Sequence, residues 1–521
     1  MAFFDDYKPF RNHLRQFPLV PSLVEVWRLS LYLLHGKPLP RDYPAGRPWS
    51  AREPLNKNLY PWDLDILLRE LILNAPLRGP CTLTKWDDFA STINFIRRLE
   101  DIAFSKGGGK PIDVMFELHR IAHRQFPWQI NVGAAPLMRA FKIFGAEAVD
   151  RILVQKLGMT MQQAMLLGAA VSGNFLKTYG MSTDQDYGVL GIAKEASAAL
   201  LTSITSTTVE LRRETAAQQC YDQDWVYAQN PLEKKPLISF DQAHPDRVIC
   251  PMPWWLLRRT SGGIFYDLVN FAEFSNPFGD SFQSYAGDII KLTCNAERFK
   301  ILSEEPYFVG QKKMHGVDWA VSDNTGHLFV EAKTKRLRVD SKARLETTIL
   351  DGDLRVMAKA IVQHYQNIRR SLARLTRWEP DGLPIYPLIL TLEDWFFFSP
   401  RVKEMLTAHI KGLLAEVDIP VSILEEMPYL VASAYEFEII SQVIGQIGIG
   451  PVLSKCVEPN RRGWALLPLA SGLFQEEMRQ VDGFLFRAEL KELWPNFEPP
   501  AQFPGQHEAI ANGHFGTKPE I

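Results

Sequence analysis

The hydrophobic rhythm of this 521-residue chain changes once, near residue 277, and that change limits its architecture more than any other feature. Before it, apolar residues recur every three or four positions over 22–34, 62–74, 86–104, 113–123, 136–157 and 193–211, the spacing that gives a helix one buried stripe. Turn clusters such as Gly36-Lys37-Pro38 and Gly107-Gly108-Gly109-Lys110-Pro111 separate these runs. A polar passage over 229–253 breaks the helical period, and an aromatic segment, 254–274, follows. Beyond 277 a helix (279–292) leads into short β-like runs at 307–309, 316–321 and 327–333. A long helix (354–374), an apolar run (386–392), a helix (402–416), a strand (428–434) and a helix (436–447) complete the pattern. The order α-β-β-β-α-β-α-β predicts an α/β domain.

The expected class is therefore α+β and multidomain. Residues 1–225 read as a helical domain, 226–276 as a linking segment, 277–450 as the α/β domain and 451–493 as a C-terminal extension. Residues 494–521, with five prolines and three glycines, read as a flexible tail. Apolar residues make up 46% and charged residues 23%, which excludes disordered, collagen-like and coiled-coil chains. Lys+Arg 58 against Asp+Glu 60 leaves a net charge of −2, so overall basicity gives no argument for a nucleic-acid partner. The five cysteines are dispersed, which argues against a disulfide framework or a CxxC zinc site and for a reducing compartment. The acidic, interrupted start differs from a secretory signal, and the apolar stretch 164–171 is far shorter than the ~20 residues a membrane helix needs. A cytoplasmic protein without a membrane span is expected.

Chemistry concentrates between His315 and Lys333. Asp323-Asn324-Thr325-Gly326 is a strong turn between two strand-like runs, which predicts a β-hairpin. Alternation places Phe329, Glu331 and Lys333 on one face. With a two-residue loop, Asn324-Thr325, Asp318 falls opposite Glu331; a three-residue loop would shift the register by one. Two adjacent carboxylates repel, and a neighbouring lysine relieves only part of that repulsion. A divalent cation relieves it fully, and hard oxygen donors suit Mg²⁺.

Asp318, twelve intervening residues and then Glu331-Ala332-Lys333, on a hairpin flanked by helices, resembles the PD-(D/E)XK (restriction-endonuclease-like) nuclease superfamily. The resemblance covers about residues 277–440. It implies an αβββαβ core in which Asp318, Glu331 and the Ala332 backbone hold Mg²⁺, with Mn²⁺ as a substitute, and Lys333 assists phosphodiester hydrolysis. Gln363, in Ala360-Ile361-Val362-Gln363-His364-Tyr365, matches the family's accessory glutamine. Gln283 stands where many members carry a first-helix glutamate, and Val317 replaces the usual proline. The implied activity is a metal-dependent nuclease acting on DNA ahead of RNA, in phage defence or DNA processing. The alternative is a non-catalytic nucleic-acid-binding or scaffold protein that retains the fold. The helical region would serve a homo-oligomer or an activating protein partner.

Lys335, Arg336 and Arg338, within a run that also holds Lys333, Lys342 and Arg344, are the expected phosphate contacts. Over 279–377 there are 17 basic against 12 acidic residues. The Gly107–Lys110 cluster lacks the first glycine and the Ser/Thr of a phosphate loop and reads as a turn. His119 and His123 share a helix face, but without a third ligand they read as packing or surface residues. Cys250 and Cys294 read as buried thiols, and the Trp254-Trp255 and 395–398 aromatics as core.

Overall fold

The computed structural model describes residues 3–48, 53–105, 114–130, 133–344, 347–397 and 399–494. The Gly107–Pro111 turn and the tail beyond Trp494 lie outside the described residues. The protein is mixed α/β, with a mostly helical N-terminal region and several sheets. It divides into two compact units.

The first unit comprises Met1–Asp113, Arg124–Val132 and Phe144–Phe274. Its core is formed by Phe3–Leu14, Leu19–His35, Pro61–Asn74 and Trp86–Ser105, whose apolar stripes converge on Phe10, Leu23, Leu67 and Ile96. Trp254 and Trp255 are buried in the same core. Glu70, fully buried, accepts from Tyr7 Oη at 2.7 Å, Gln219 Nε2 at 2.8 Å and Trp225 Nε1 at 3.0 Å, so its oxygens are satisfied by protein donors. The segment read as a linker lies within this unit and supplies strands Leu237–Ser239 and Arg247–Ile249 to a four-stranded sheet. The partner strands, Gly180–Ser182 and Thr205–Thr207, are three residues each, too short for an alternation signal to be read.

The second unit comprises Val114–His123, Gly133–Ile143 and Ser275–Ile521. Its five-stranded sheet runs Leu430–Ser433, Ile385–Thr391, Gly326–Lys333, Trp319–Asp323, Lys300–Ser303. The last three strands pair antiparallel and the first three parallel. The parallel strands are joined by helices, Thr348–Leu372 before Ile385–Thr391 and Pro400–Glu416 after it. One expectation is corrected. Tyr307–Val309 does not enter this sheet; it pairs with Lys312–Met314 in a separate hairpin, leaving Phe308 and Val309 exposed, while Lys300–Ser303 takes the edge position.

Two segments from earlier in the chain are packed into this unit. Arg139 forms a two-pronged ion pair with Glu438, at 2.6 and 2.9 Å, and Tyr285 Oη donates to the same carboxylate at 2.7 Å. His119 faces the carbonyls of Phe396 and Ser341, and Arg120 Nε donates to Ala343 O at 2.8 Å. The histidine pair is thus a packing pair, as read.

The first core helix, Ser275–Thr293, lies against the hairpin through Gly287. A Cβ there would sit 2.1 Å from the Trp319 ring, whose Nε1 donates to Gln283 O at 2.9 Å. Gly287→Ala is expected to cost about 3 kcal/mol in urea unfolding, because neither helix backbone nor indole can yield. An unchanged midpoint would refute this contact.

Candidate active site

The hairpin has the two-residue loop: Asp323 pairs with Gly326 and Trp319 with Val330. That register carries Asp318, immediately before the strand, to the position opposite Glu331. The turn is fixed by Asp323 Oδ1, which accepts from Thr325 N at 2.8 Å and Gly326 N at 3.0 Å.

Asp318 Oδ2 accepts from Ala332 N at 2.6 Å. Glu331 is 3% exposed, and its Oε1 lies 2.6 Å from Lys333 Nζ. Glu331 Oε2 has no hydrogen-bond partner among the described residues; His364 Nδ1 approaches it only to 3.5 Å. The His364 ring is set by its other nitrogen, 3.0 Å from Phe329 O.

These neighbours push the carboxyls apart in acidity. Burial drives Asp318 up to about 8, the Glu331 charge adds to the rise, and the Ala332 N–H and Lys333 oppose it. Burial also works to raise Glu331, but His364 and Lys333 outweigh it and hold that carboxylate below its ordinary value. Burial works to lower Lys333, yet Glu331 first and Asp318 next carry it above the usual lysine range, so it is a cation here. Two carboxyls with separated acidities beside a fixed ammonium are a chemically differentiated set.

Glu304 and His364 complete the cluster, and sequence reading singled out neither. Glu304 N donates to Asp318 O at 2.8 Å, and its carboxylate takes Gln283 Nε2 at 3.3 Å and His315 Nδ1 at 2.9 Å. Gln283, the amide in place of a first-helix carboxylate, therefore binds a carboxylate instead. Gln363 is not brought in: it is exposed, and the adjacent His364 is the residue that faces Glu331. A helix turns about 100° per residue, so an error of one position changes the face.

The basic run is largely paired internally. Lys335 Nζ and Arg338 Nε lie 3.3 and 3.0 Å from Asp353 Oδ1, while Arg336 and Lys342 lie 3.2 and 2.9 Å from Glu393. Asp353 is 1% exposed and also accepts from Ser341 Oγ at 2.7 Å, so it is a structural counter-ion. Four cations against two carboxylates still leave this face positive.

Asp318, Glu331 and the Ala332 backbone fit a divalent cation on one observation, the buried and unpartnered Glu331 Oε2. No group of three or more His, Cys, Asp or Glu among the described residues is arranged to hold a metal, so a bound ion would take backbone and water oxygens as well. No single helix among the described residues is long and apolar enough to cross a membrane. All five cysteines are free. No family model, curated protein or solved structure matches the chain.

Proposed function

We propose that the second unit is a restriction-endonuclease-like, metal-dependent nuclease that hydrolyses nucleic-acid phosphodiesters, DNA ahead of RNA. The observation that carries the reading is the hairpin register that sets Asp318, one residue before the ladder, opposite Glu331, with Lys333 on Glu331 and one carboxylate oxygen left unsatisfied inside the fold. Mg²⁺ held by Asp318, Glu331 and the Ala332 carbonyl would offset charge on the phosphoryl oxygens and acidify water. Lys333, as a cation, orients the attacking water and stabilises the negative charge that builds on the phosphoryl oxygens. His364, 3.5 Å from Glu331 Oε2, faces the carboxylate from the helix side. The new P–O bond forms as the bond to the leaving sugar oxygen breaks; one water proton ends on that oxygen and the other is released from the phosphate monoester.

The test is cleavage of duplex and single-stranded DNA, linear and circular, and of RNA, with Mg²⁺ and with EDTA. Cutting confined to the Mg²⁺ arm is expected. A second reading, a nucleic-acid-binding scaffold, is favoured by the internal pairing of both carboxylates: the Ala332 N–H meets Asp318 and Lys333 meets Glu331. Thermal stability against Mg²⁺ separates the two, since an ion that binds only the folded state raises it by mass action. Cleavage absent and no Mg²⁺ shift would leave the scaffold.

The paired basic run makes a further prediction. Lys335→Ala with Arg336→Ala should flatten the salt dependence of nucleic-acid affinity by about one to two charges. Arg338→Ala should destabilise the fold more than Lys335→Ala, since it removes the closer of the two cations on buried Asp353. An unchanged slope in the double variant would remove the run from the interface.

A further inference from the structure

A cavity of about 600 Å³ opens in the second unit beside the ends of the parallel strands, and none of Asp318, Glu331 and Lys333 lines it. In the sheet register Thr391 pairs with Lys333 on one side and Ser433 on the other, so this cavity begins one strand away from the lysine. Crevices beyond the carboxyl ends of parallel strands are the usual ligand positions of open α/β sheets, and this volume is that of a small-molecule site.

Its lining is aromatic, basic and acidic, the acids being Asp394, Glu425 and Glu436. Phe396, Tyr429 and Trp464 offer aromatic faces, and the Trp464 side chain is left 54% exposed. Lys403, Lys411 and Arg462 bring positive charge, but the Arg462 guanidinium is paired with Glu425, and burial raises Asp394 and Glu436 above the usual carboxylate range, so the two lysines carry the available charge. Lys403 Nζ donates to Arg462 O at 2.6 Å, and neither lysine has a carboxylate partner among the described residues. Burial first, then Arg462, pushes Lys403 below the ordinary lysine range, a state that an anion would reverse.

Two further observations mark the cavity as more than a surface fold. Trp395, which lines it and is 2% exposed, has an indole N–H with no acceptor among the described residues. Phe396 holds φ at +49°, a left-handed conformation that costs a bulky residue energy and persists only where the surroundings impose it.

We infer that this cavity binds a nucleoside phosphate, its base against the Trp464, Phe396 and Tyr429 faces and its phosphate on Lys403 and Lys411. A bare anion would leave the aromatic faces unused, and an apolar ligand would leave two lysines without a counter-charge. The same chemistry is presented by a free mononucleotide and by a nucleotide of a single strand. The inference does not depend on catalysis at Asp318.

Calorimetric titration of the metal-free protein in EDTA with the four ribo- and four deoxyribonucleoside monophosphates tests it. Adenosine, inorganic phosphate and a single-stranded tetranucleotide complete the panel. Saturable binding of a monophosphate is expected, at least tenfold tighter than adenosine or phosphate. Trp464→Ala and Lys411→Ala, both at exposed positions, should each weaken it at least tenfold, and Asp318→Asn should leave it unchanged. A tetranucleotide that competes assigns the site to a strand, and one that does not assigns it to a free nucleotide; both outcomes uphold it. Absence of binding by every nucleotide, equal binding of phosphate alone, or undiminished binding in both variants would overturn it.

Discussion

Asp318→Asn is expected to make the metal-free protein more stable at pH 8 while abolishing both its response to Mg²⁺ and its cleavage. The Asp318 carboxyl is driven up to about 8 by burial and then by Glu331. Between its unfolded value near 4 and that folded value, the folded chain keeps a proton that the unfolded chain has lost. Stability therefore falls as pH rises through this window. Asparagine carries no charge to bury, and its side-chain oxygen still accepts from Ala332 N. The gain should be on the order of 3 kcal/mol at pH 8 and smaller at pH 5.5, where less of the window has been crossed. Urea unfolding at the two pH values measures it. A variant with the same pH gradient as the parent protein would show that Asp318 is not the strained group. The same substitution removes a hard ligand, so the Mg²⁺ shift should vanish with the activity.

Lys333→Met should do the reverse at the metal while being as damaging to catalysis. The Lys333 ammonium sits 2.6 Å from Glu331 Oε1, where it competes with any cation for that oxygen. Methionine keeps the length of the stem and deletes the charge, so Mg²⁺ should bind at least as tightly as before. Cleavage at saturating Mg²⁺ should nonetheless fall by roughly 10³-fold, the usual scale for losing one preorganised group that stabilises transition-state charge. Retained cleavage would reduce Lys333 to a structural counter-ion. Loss of Mg²⁺ binding together with cleavage would mean that the lysine merely holds Glu331 in place. The two variants therefore dissect the site: one should lose both metal and turnover, the other turnover alone.

The parts of this site that were legible in the sequence are those set by local rules. A turn such as Asp323-Asn324-Thr325-Gly326 fixes loop length, loop length fixes register, and the two-residue period of a strand does the rest, so the apposition of Asp318 and Glu331 follows from six residues on either side of a two-residue loop. Contacts that depend on how separate elements meet were not legible. Which of Gln363 and His364 faces Glu331 is settled by the rotation of a 25-residue helix against the sheet. Glu304 reaches Asp318 because the edge strand ends there, and the preceding run, Lys300–Ser303, has too little alternation to be read as a strand. Lys335, Arg336 and Arg338 looked free because their counter-ions, Asp353 and Glu393, lie 15 or more residues away along the chain. Charge runs announce potential, not vacancy. The mixed α/β class with its mostly helical N-terminal region followed from the change of hydrophobic period; the three-residue strands of the first unit were below what a period can mark.

The path of the chain through the two units has a practical consequence. Proximity in sequence and membership of a folded body part company at Val114–His123 and Gly133–Ile143, which precede residue 275 but belong to the second unit. A fragment starting at 275 would contain every residue of the candidate site and still be an incomplete object. Glu438, only 6% exposed, would lose Arg139, and the carbonyls of Ser341 and Ala343 would lose His119 and Arg120. An unpaired carboxylate at that depth is worth about 3–5 kcal/mol against folding, a large part of what holds any domain together. Inheritance faces the same arithmetic: a recombination event at residue 275 would not transfer the second unit intact, so its movement between genes is tied to the N-terminal half in which its missing pieces are encoded.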